Sequence, residues 1–444
     1  MTQPMRRIFP MGLLATTAFF LLFSPSCTGQ KGNSATGDMD ALLNVREAER
    51  IEKILAADDM QGRRAFSPGI EKAANFIAAE FKATGLQAWD KSSSFRQEFA
   101  IIRAKMVSTS AVLDGQATAS KNILVITCQP QVNITEKQGY EKVFIKPGSN
   151  LQTEARKYLR SNKNLLVLAD TSFTGSFGNL SRLKSSQFKT DKNVVFILTT
   201  VDPASYSIEA VHEITEQKLA NVVGVLPGKS RKDEYVIFSG HYDHLGIGKP
   251  VDGDSIYNGA NDDAAGITGV IMLAKYFKQL NSNERTIVFA AFTAEEVGGF
   301  GSQYFSRQFN ADKVMAMFNI EMIGTESKWG KNSAYITGYD KTNMGEILAK
   351  DLEGTGFTFY PDPYPTQQLF YRSDNATLAR LGVPAHTIST SKMDIEPNYH
   401  KVTDHVETLD MENMTMIIKA IALSAKSIIA GTATPARVKV EDLR

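Results

Sequence analysis

The 444 residues, 43% hydrophobic and 22% charged, can bury a large core with room for a second domain, which excludes a disordered chain. Lysine plus arginine number 49 and aspartate plus glutamate 48, so no net field favours a nucleic acid or an anionic membrane.

The first elements resemble a targeting segment. Arg6 and Arg7 precede an apolar run over 11–23 that is too short to span a bilayer, and Ser24, Pro25 and Ser26 follow it. This pattern predicts a signal peptide over 1–26 and a polar tether over 27–43. Cys27 stands where the acylated cysteine of a bacterial lipoprotein would stand; the alternative is cleavage near Ser26 without a lipid. Both readings predict an exported protein, periplasmic or on the cell envelope, with membrane attachment only through Cys27. Cys128 is then the one cysteine left, so neither an internal disulfide nor a cysteine zinc site is available, and any metal must be held by histidines and carboxylates.

Helical spacing predicts a helix over 44–57 and another over 70–84, where Ala73, Phe76, Ile77 and Phe81 share a face before Gly85. Over 95–219 the texture changes to short apolar runs, at 111–113, 123–127, 165–168 and 194–199, between Lys, Ser, Asn and Gly clusters. They predict an inserted smaller domain, α+β or β-rich; the alternative is a continuation of one sheet. From 221 onward strands alternate with helices. Residues 222–226 and 235–238, joined by Pro227-Gly228-Lys229, read as a hairpin. A helix through Ile267, Val270, Ile271, Ala274 and Phe277 leads to strands at 286–292 and 314–322, a helix at 343–353 and a strand at 385–389. An amphipathic helix through Met414, Ile417, Ile421 and Ile428 completes the series. Such alternation predicts an α/β domain, formed by 44–94 and 220–444, with a sheet covered on both faces. Chemistry in these sheets collects beyond the carboxyl ends of the strands.

Candidate residues fall there. His241 and Asp243 stand two apart at the end of an apolar run, a spacing that aims both side chains the same way if the strand continues, with the carboxylate orienting the imidazole. His-x-Asp also occurs by chance. Asp262 and Asp263 open a helix; one carboxylate suffices as an N-cap, and the second is left for another task. Glu295 and Glu296 end an apolar strand where burial is costly without a partner or a metal, so one can coordinate while the other handles a proton. Glu321 is a lone acid in an apolar strand, and His400 with Asp404 repeats the imidazole and carboxylate pairing before the last helix.

In this order the residues resemble peptidase family M28, the zinc-dependent aminopeptidase-like metallopeptidases. The carriers are Gly240-His241-Tyr242-Asp243-His244, Asn261-Asp262-Asp263, Ala294-Glu295-Glu296, Asn319-Ile320-Glu321-Met322, Ser373-Asp374 and Tyr399-His400 with Asp404. The resemblance covers roughly 44–84 and 220–429. It implies a mixed central sheet of the zinc-exopeptidase type and two Zn2+ ions bridged by Asp262. His241 and Glu321 would complete one shell, and Glu296 and His400 the other. Glu295 would be the general base, Asp243 would fix the His241 ring, Asp404 would hold His400, and His244 is expected to have no metal role. Two departures stand out: Glu321 replaces the usual Asp, and Asn375 replaces the His of a Ser-Asp-His triplet. The implied function is removal of N-terminal residues from peptide substrates. A glutaminyl cyclase-like acyltransferase on the same fold and a non-catalytic surface binding protein are the alternatives; a serine hydrolase is excluded by the lack of a Gly-x-Ser-x-Gly elbow.

Overall fold

A computed structural model describes residues 39–89, 94–183 and 186–443. The signal-peptide expectation and Cys27 lie outside the described residues, as does most of the 27–43 tether. Among the described residues no helix is long and apolar enough to cross a membrane.

Asn44 caps α1 (Val45–Leu55) by accepting the Glu47 amide, and Pro68 opens α2 (Pro68–Thr84), which Gly85 ends in the left-handed region. The long strand β1 (Arg96–Leu113) leads into β2 (Ile123–Ile126), β3 (Glu141–Ile145), α3 (Leu151–Arg160), β4 (Leu165–Ala169) and β5 (Val194–Leu198). These four strands form a separate sheet in the order β2-β5-β4-β3, parallel except for β2. One of its faces packs on Leu113, Tyr206 and Ile208; the other packs on Leu151 and Ala155 of α3 and on Phe177 and Leu180. The chain then returns along β6 (Tyr206–Leu226), antiparallel to β1 over nearly the whole length of both.

The main sheet continues through β7 (Arg231–His241), α4 (Ala265–Leu280), β8 (Arg285–Phe292), β9 (Val314–Ile320), β10 (Ser333–Ile336), α5 (Met344–Asp351), β11 (Thr358–Pro361), β12 (Ala385–Ser389) and α6 (Met411–Ser424). Its order is β11-β10-β12-β9-β7-β8-β6-β1. The sheet is mixed, and both faces are covered as expected. Val236 and Phe238 of β7 point into the core shared with α1, α2, α4 and α6, while Ile237 points to the opposite core with Phe305, Leu378 and Val383. Every residue of β8 and β12 is buried, the signature of a parallel strand covered on two sides.

The hairpin expected over 222–238 does not form. β8 lies between β6 and β7, antiparallel to the first and parallel to the second. An eight-residue strand apolar on both faces gains more from a central position than from an edge, and β8 takes it. The Pro227-Gly228-Lys229 link wraps its start instead: Gly228 and Lys229 donate their amides to the Thr286 hydroxyl and the Asn283 carbonyl.

The central consequence of this topology is that β8, β7, β9 and β12 are adjacent and parallel, so their carboxyl ends form one rim. Arg63, fully buried, fixes the turns above it. Its guanidinium donates to the Leu55 carbonyl at the end of α1, to Tyr242 beyond β7, and to Asn258 and Gly259 before α4. Glu52 of α1, which feels the Arg63 charge, is fully buried, with no well-formed hydrogen bond to either oxygen although the Thr268 hydroxyl lies close.

Burial pushes Glu52 up to about 8, against the pull of Thr268 and Arg63 and with that of Asp404. A carboxyl raised in the folded state binds more protons than in the unfolded chain between about pH 4.5 and 8. Stability contributed by its neutral form is therefore whole below that window and falls as pH rises through it, by on the order of 5 kcal/mol. Glu52→Gln is expected to flatten this slope: urea unfolding should show the variant gaining on the wild type from pH 5 to 8. A pH-independent difference would remove Glu52 from the role.

Candidate metal centre

Four strand ends deliver all the candidates but Asp262. His241 closes β7, Glu295 and Glu296 follow β8, Glu321 follows β9, and the segment after β12 carries His400. Asp262 sits in the turn that opens α4. The approach of that turn to the rim requires Gly266: a Cβ there would lie 2.2 Å from the Ile320 carbonyl oxygen and 2.4 Å from the Asp263 carboxylate. Asp263 takes the capping task, its Oδ1 accepting the Gly266 and Met322 amides and its Oδ2 the His241 amide. Asp262 is thereby free for the cavity.

Asp262 stands between two groups. Its Oδ1 lies 3.2 Å from His241 Nε2, and Glu321 joins this pair as a first cluster. Its Oδ2 lies 3.2 Å from His400 Nε2, which is also 3.2 Å from Glu296 Oε1. The five residues expected as ligands are therefore brought together, with Asp262 shared. Glu321 reaches the first cluster in spite of its extra methylene. His244, expected to be uninvolved, has its Nδ1 3.0 Å from Glu296 Oε1 and 3.9 Å from Asp262 Oδ2. The repeat of imidazole, residue, carboxylate, imidazole over 241–244 was the sequence signal for it.

Two supporting acids act differently from expectation. The strand ends at His241, so Asp243 does not lie beside the ring on a continuing strand. The His241 Nδ1 is 3.0 Å from the Asp243 main-chain carbonyl, while the carboxylate stays 3.9 Å away and accepts the Glu295 and Glu296 amides. Asp404 likewise braces Asp262, not His400: its carboxylate accepts the Asn261 and Asp262 amides. Asn375, in place of the histidine, is a buried fixture, donating to the Phe370 and Ala385 carbonyls and accepting from Thr387.

The electrostatics call for positive charge. Burial and neighbouring acids raise Glu295, and burial lifts Glu321 to about 7. Burial pulls His241 and His400 down, yet their hydrogen bonds to Asp262 more than offset it, and His400 is held at about 10. Protons on imidazoles thus balance buried carboxylates. Asp262 Oδ2 nonetheless lacks a hydrogen-bond donor of good geometry. An acceptor left without a donor, among carboxylates and imidazoles of the borderline type, fits divalent zinc. Glu295 lines the same open cavity but belongs to neither cluster.

The profile of Peptidase family M28 matches residues 221–425. A probable zinc metalloprotease of Pyrenophora teres f. teres is 35% identical over 250 residues, covering 50% of this chain and 51% of that protein. A probable leucine aminopeptidase of Trichophyton verrucosum is 25% identical over 240 residues, covering 49% and 63%. The chain thus spans less than two thirds of either relative's length. The solved aminopeptidase from Aneurinibacillus sp. strain AM-1 superposes with a TM-score of 0.54 at 17% identity, covering 92% of this chain and 99% of that one, which shows the shared fold. Both ligand clusters thus fall within the segment, residues 221–425, that matches Peptidase family M28.

Proposed function

We propose that the chain is a zinc-dependent exopeptidase that removes N-terminal residues from peptides, with two ions held by His241, Asp262 and Glu321 on one side and Asp262, Glu296 and His400 on the other. The observation that carries this reading is the position of Glu295. It opens onto the cavity beside both clusters, is nearly buried, and belongs to neither of them. When bound, zinc supplies Lewis acidity toward a carbonyl oxygen and makes water a better proton donor.

The remaining steps belong to the side chains. Glu295 takes a proton from the attacking water and returns it to the amine that leaves when the peptide bond breaks. Asp243 fixes the main chain of Glu295 and Glu296 together, so the base and the ligand keep one relative position. Four carboxylates, Asp262, Glu295, Glu296 and Glu321, line the cavity against a single lining arginine, Arg372. With the ions bound, the free amine of a peptide could meet one metal or a neighbouring acid of this lining, which supports aminopeptidase action. Apolar walls from Met322, Leu369 and Met393 favour an apolar side chain over a charged one. The 6–27 segment supports action after export.

Glu295→Gln keeps shape and removes the base. The variant is expected to fold and retain zinc while kcat falls about 10³-fold, the scale of general-base catalysis; a variant keeping a tenth of the rate would take Glu295 out of the role. Removal of metal with a chelator should abolish hydrolysis of free-amino peptides and lower Tm, and zinc should restore both. Equal cleavage of peptides blocked at the amino end would defeat the aminopeptidase reading, and elemental analysis giving a single ion would defeat the two-ion arrangement.

A further inference from the structure

His244 is a buried imidazole to which the two-ion arrangement gives no task. Its ring is 1% exposed, its Nε2 has no hydrogen-bond partner, and its Nδ1 faces the Asp262 and Glu296 carboxylates. Packing leaves the ring little choice of direction. Gly259, in the left-handed region, lies flat against it, where a Cβ would come 2.5 Å from the ring Cδ2. The backbone is pinned as well, the His244 amide donating to the Arg63 carbonyl.

We propose that His244 is a fourth protein ligand of the second metal, binding through Nδ1 beside Asp262, Glu296 and His400. This rests on the zinc reading above and extends it. Four donor atoms from four separate segments converge: His244 Nδ1, His400 Nε2, Glu296 Oε1 and Asp262 Oδ2. Four of the six edges of this group are 3.0, 3.2, 3.2 and 3.9 Å. Ligands about 2.0 to 2.1 Å from a tetrahedral zinc are about 3.3 Å from one another, the middle of that range. A histidine serving only as a donor to Glu296 would explain the 3.0 Å contact. It would leave unexplained why the same nitrogen also approaches Asp262 Oδ2, an oxygen with no well-formed hydrogen bond of its own.

The ligation makes the two sites unlike. The first has one imidazole and two carboxylates, the second two imidazoles and two carboxylates. Nitrogen-rich sites favour zinc and cobalt over magnesium and manganese, so the second site holds its ion more tightly and more selectively.

Two variants test this on the full chain, with apoprotein titrated by Co2+ in competition with a chelator. In His244→Asn the amide nitrogen can occupy the place of Nδ1 and still donate to Glu296, so a donor's role survives and an imidazole ligand's does not. The expected result is two ions per wild-type chain and, in the variant, loss of at least tenfold in affinity at one of them, with a changed visible Co2+ spectrum and unchanged circular dichroism. His244→Cys places a thiolate at the same point. It is expected to add a thiolate-to-cobalt charge-transfer band that the wild type lacks, a signature a structural role cannot produce. Wild-type affinity and spectrum in His244→Asn, or no such band in a folded His244→Cys, would overturn the inference alone. A wild-type chain that takes up no ion would overturn the zinc reading and this inference with it.

Discussion

Mutual repulsion among buried carboxylates is the constraint around which this domain is built. Asp262, Glu295, Glu296 and Glu321 open onto one cavity, and Asp243, Asp263 and Asp404 lie buried around it. Bringing so many acids out of water costs free energy unless each is hydrogen-bonded, protonated or paired with a cation. The three supporting acids are satisfied by backbone amides, which is how they hold the turns in place. Among the cavity acids, Asp262 and Glu296 face imidazoles and Glu321 a long contact from the Asn319 side-chain amide, and divalent ions are partners that would balance them. The scaffold therefore carries its acids at the rim of a parallel sheet, where four strand ends point the same way and the loops beyond them can be shaped independently.

Much of this was legible in the chain. Runs such as 286–292 and 385–389 gave strands because a fully buried strand needs a continuous apolar stretch, and acids at their ends stood out against it. Periodicity placed the helices to within a few residues. What local pattern could not carry was neighbour order. The link at 227–229 looks like a hairpin turn because turn residues report a change of direction, whereas the strand that slips between its two arms is encoded more than fifty residues later.

Side-chain direction was the second limit. Alternation carries as far as His241, but the strand stops there, and from that point Asp243 and His244 follow the turn instead of the pleat. The five residues of the two clusters could be assigned because they are spread over separate motifs whose order resembles a known family. His244 was passed over because it sits beside a stronger candidate, and only tertiary packing turns its ring toward Glu296. The roles of Asp243 and Asp404 shifted for a related reason: a carboxylate near a histidine in sequence is equally near several amides, and the amides won.

The shared position of Asp262 joins segments that are far apart along the chain, since the residues meeting around it run from His241 to His400. An ion held there closes a loop of roughly 160 residues, which removes conformational freedom from the unfolded chain much as a covalent cross-link does. In a chain whose one described cysteine is free, this is the available staple. The metal would then govern lifetime as well as chemistry, since an ion that binds only the folded chain lowers the share of opened chain within reach of a protease.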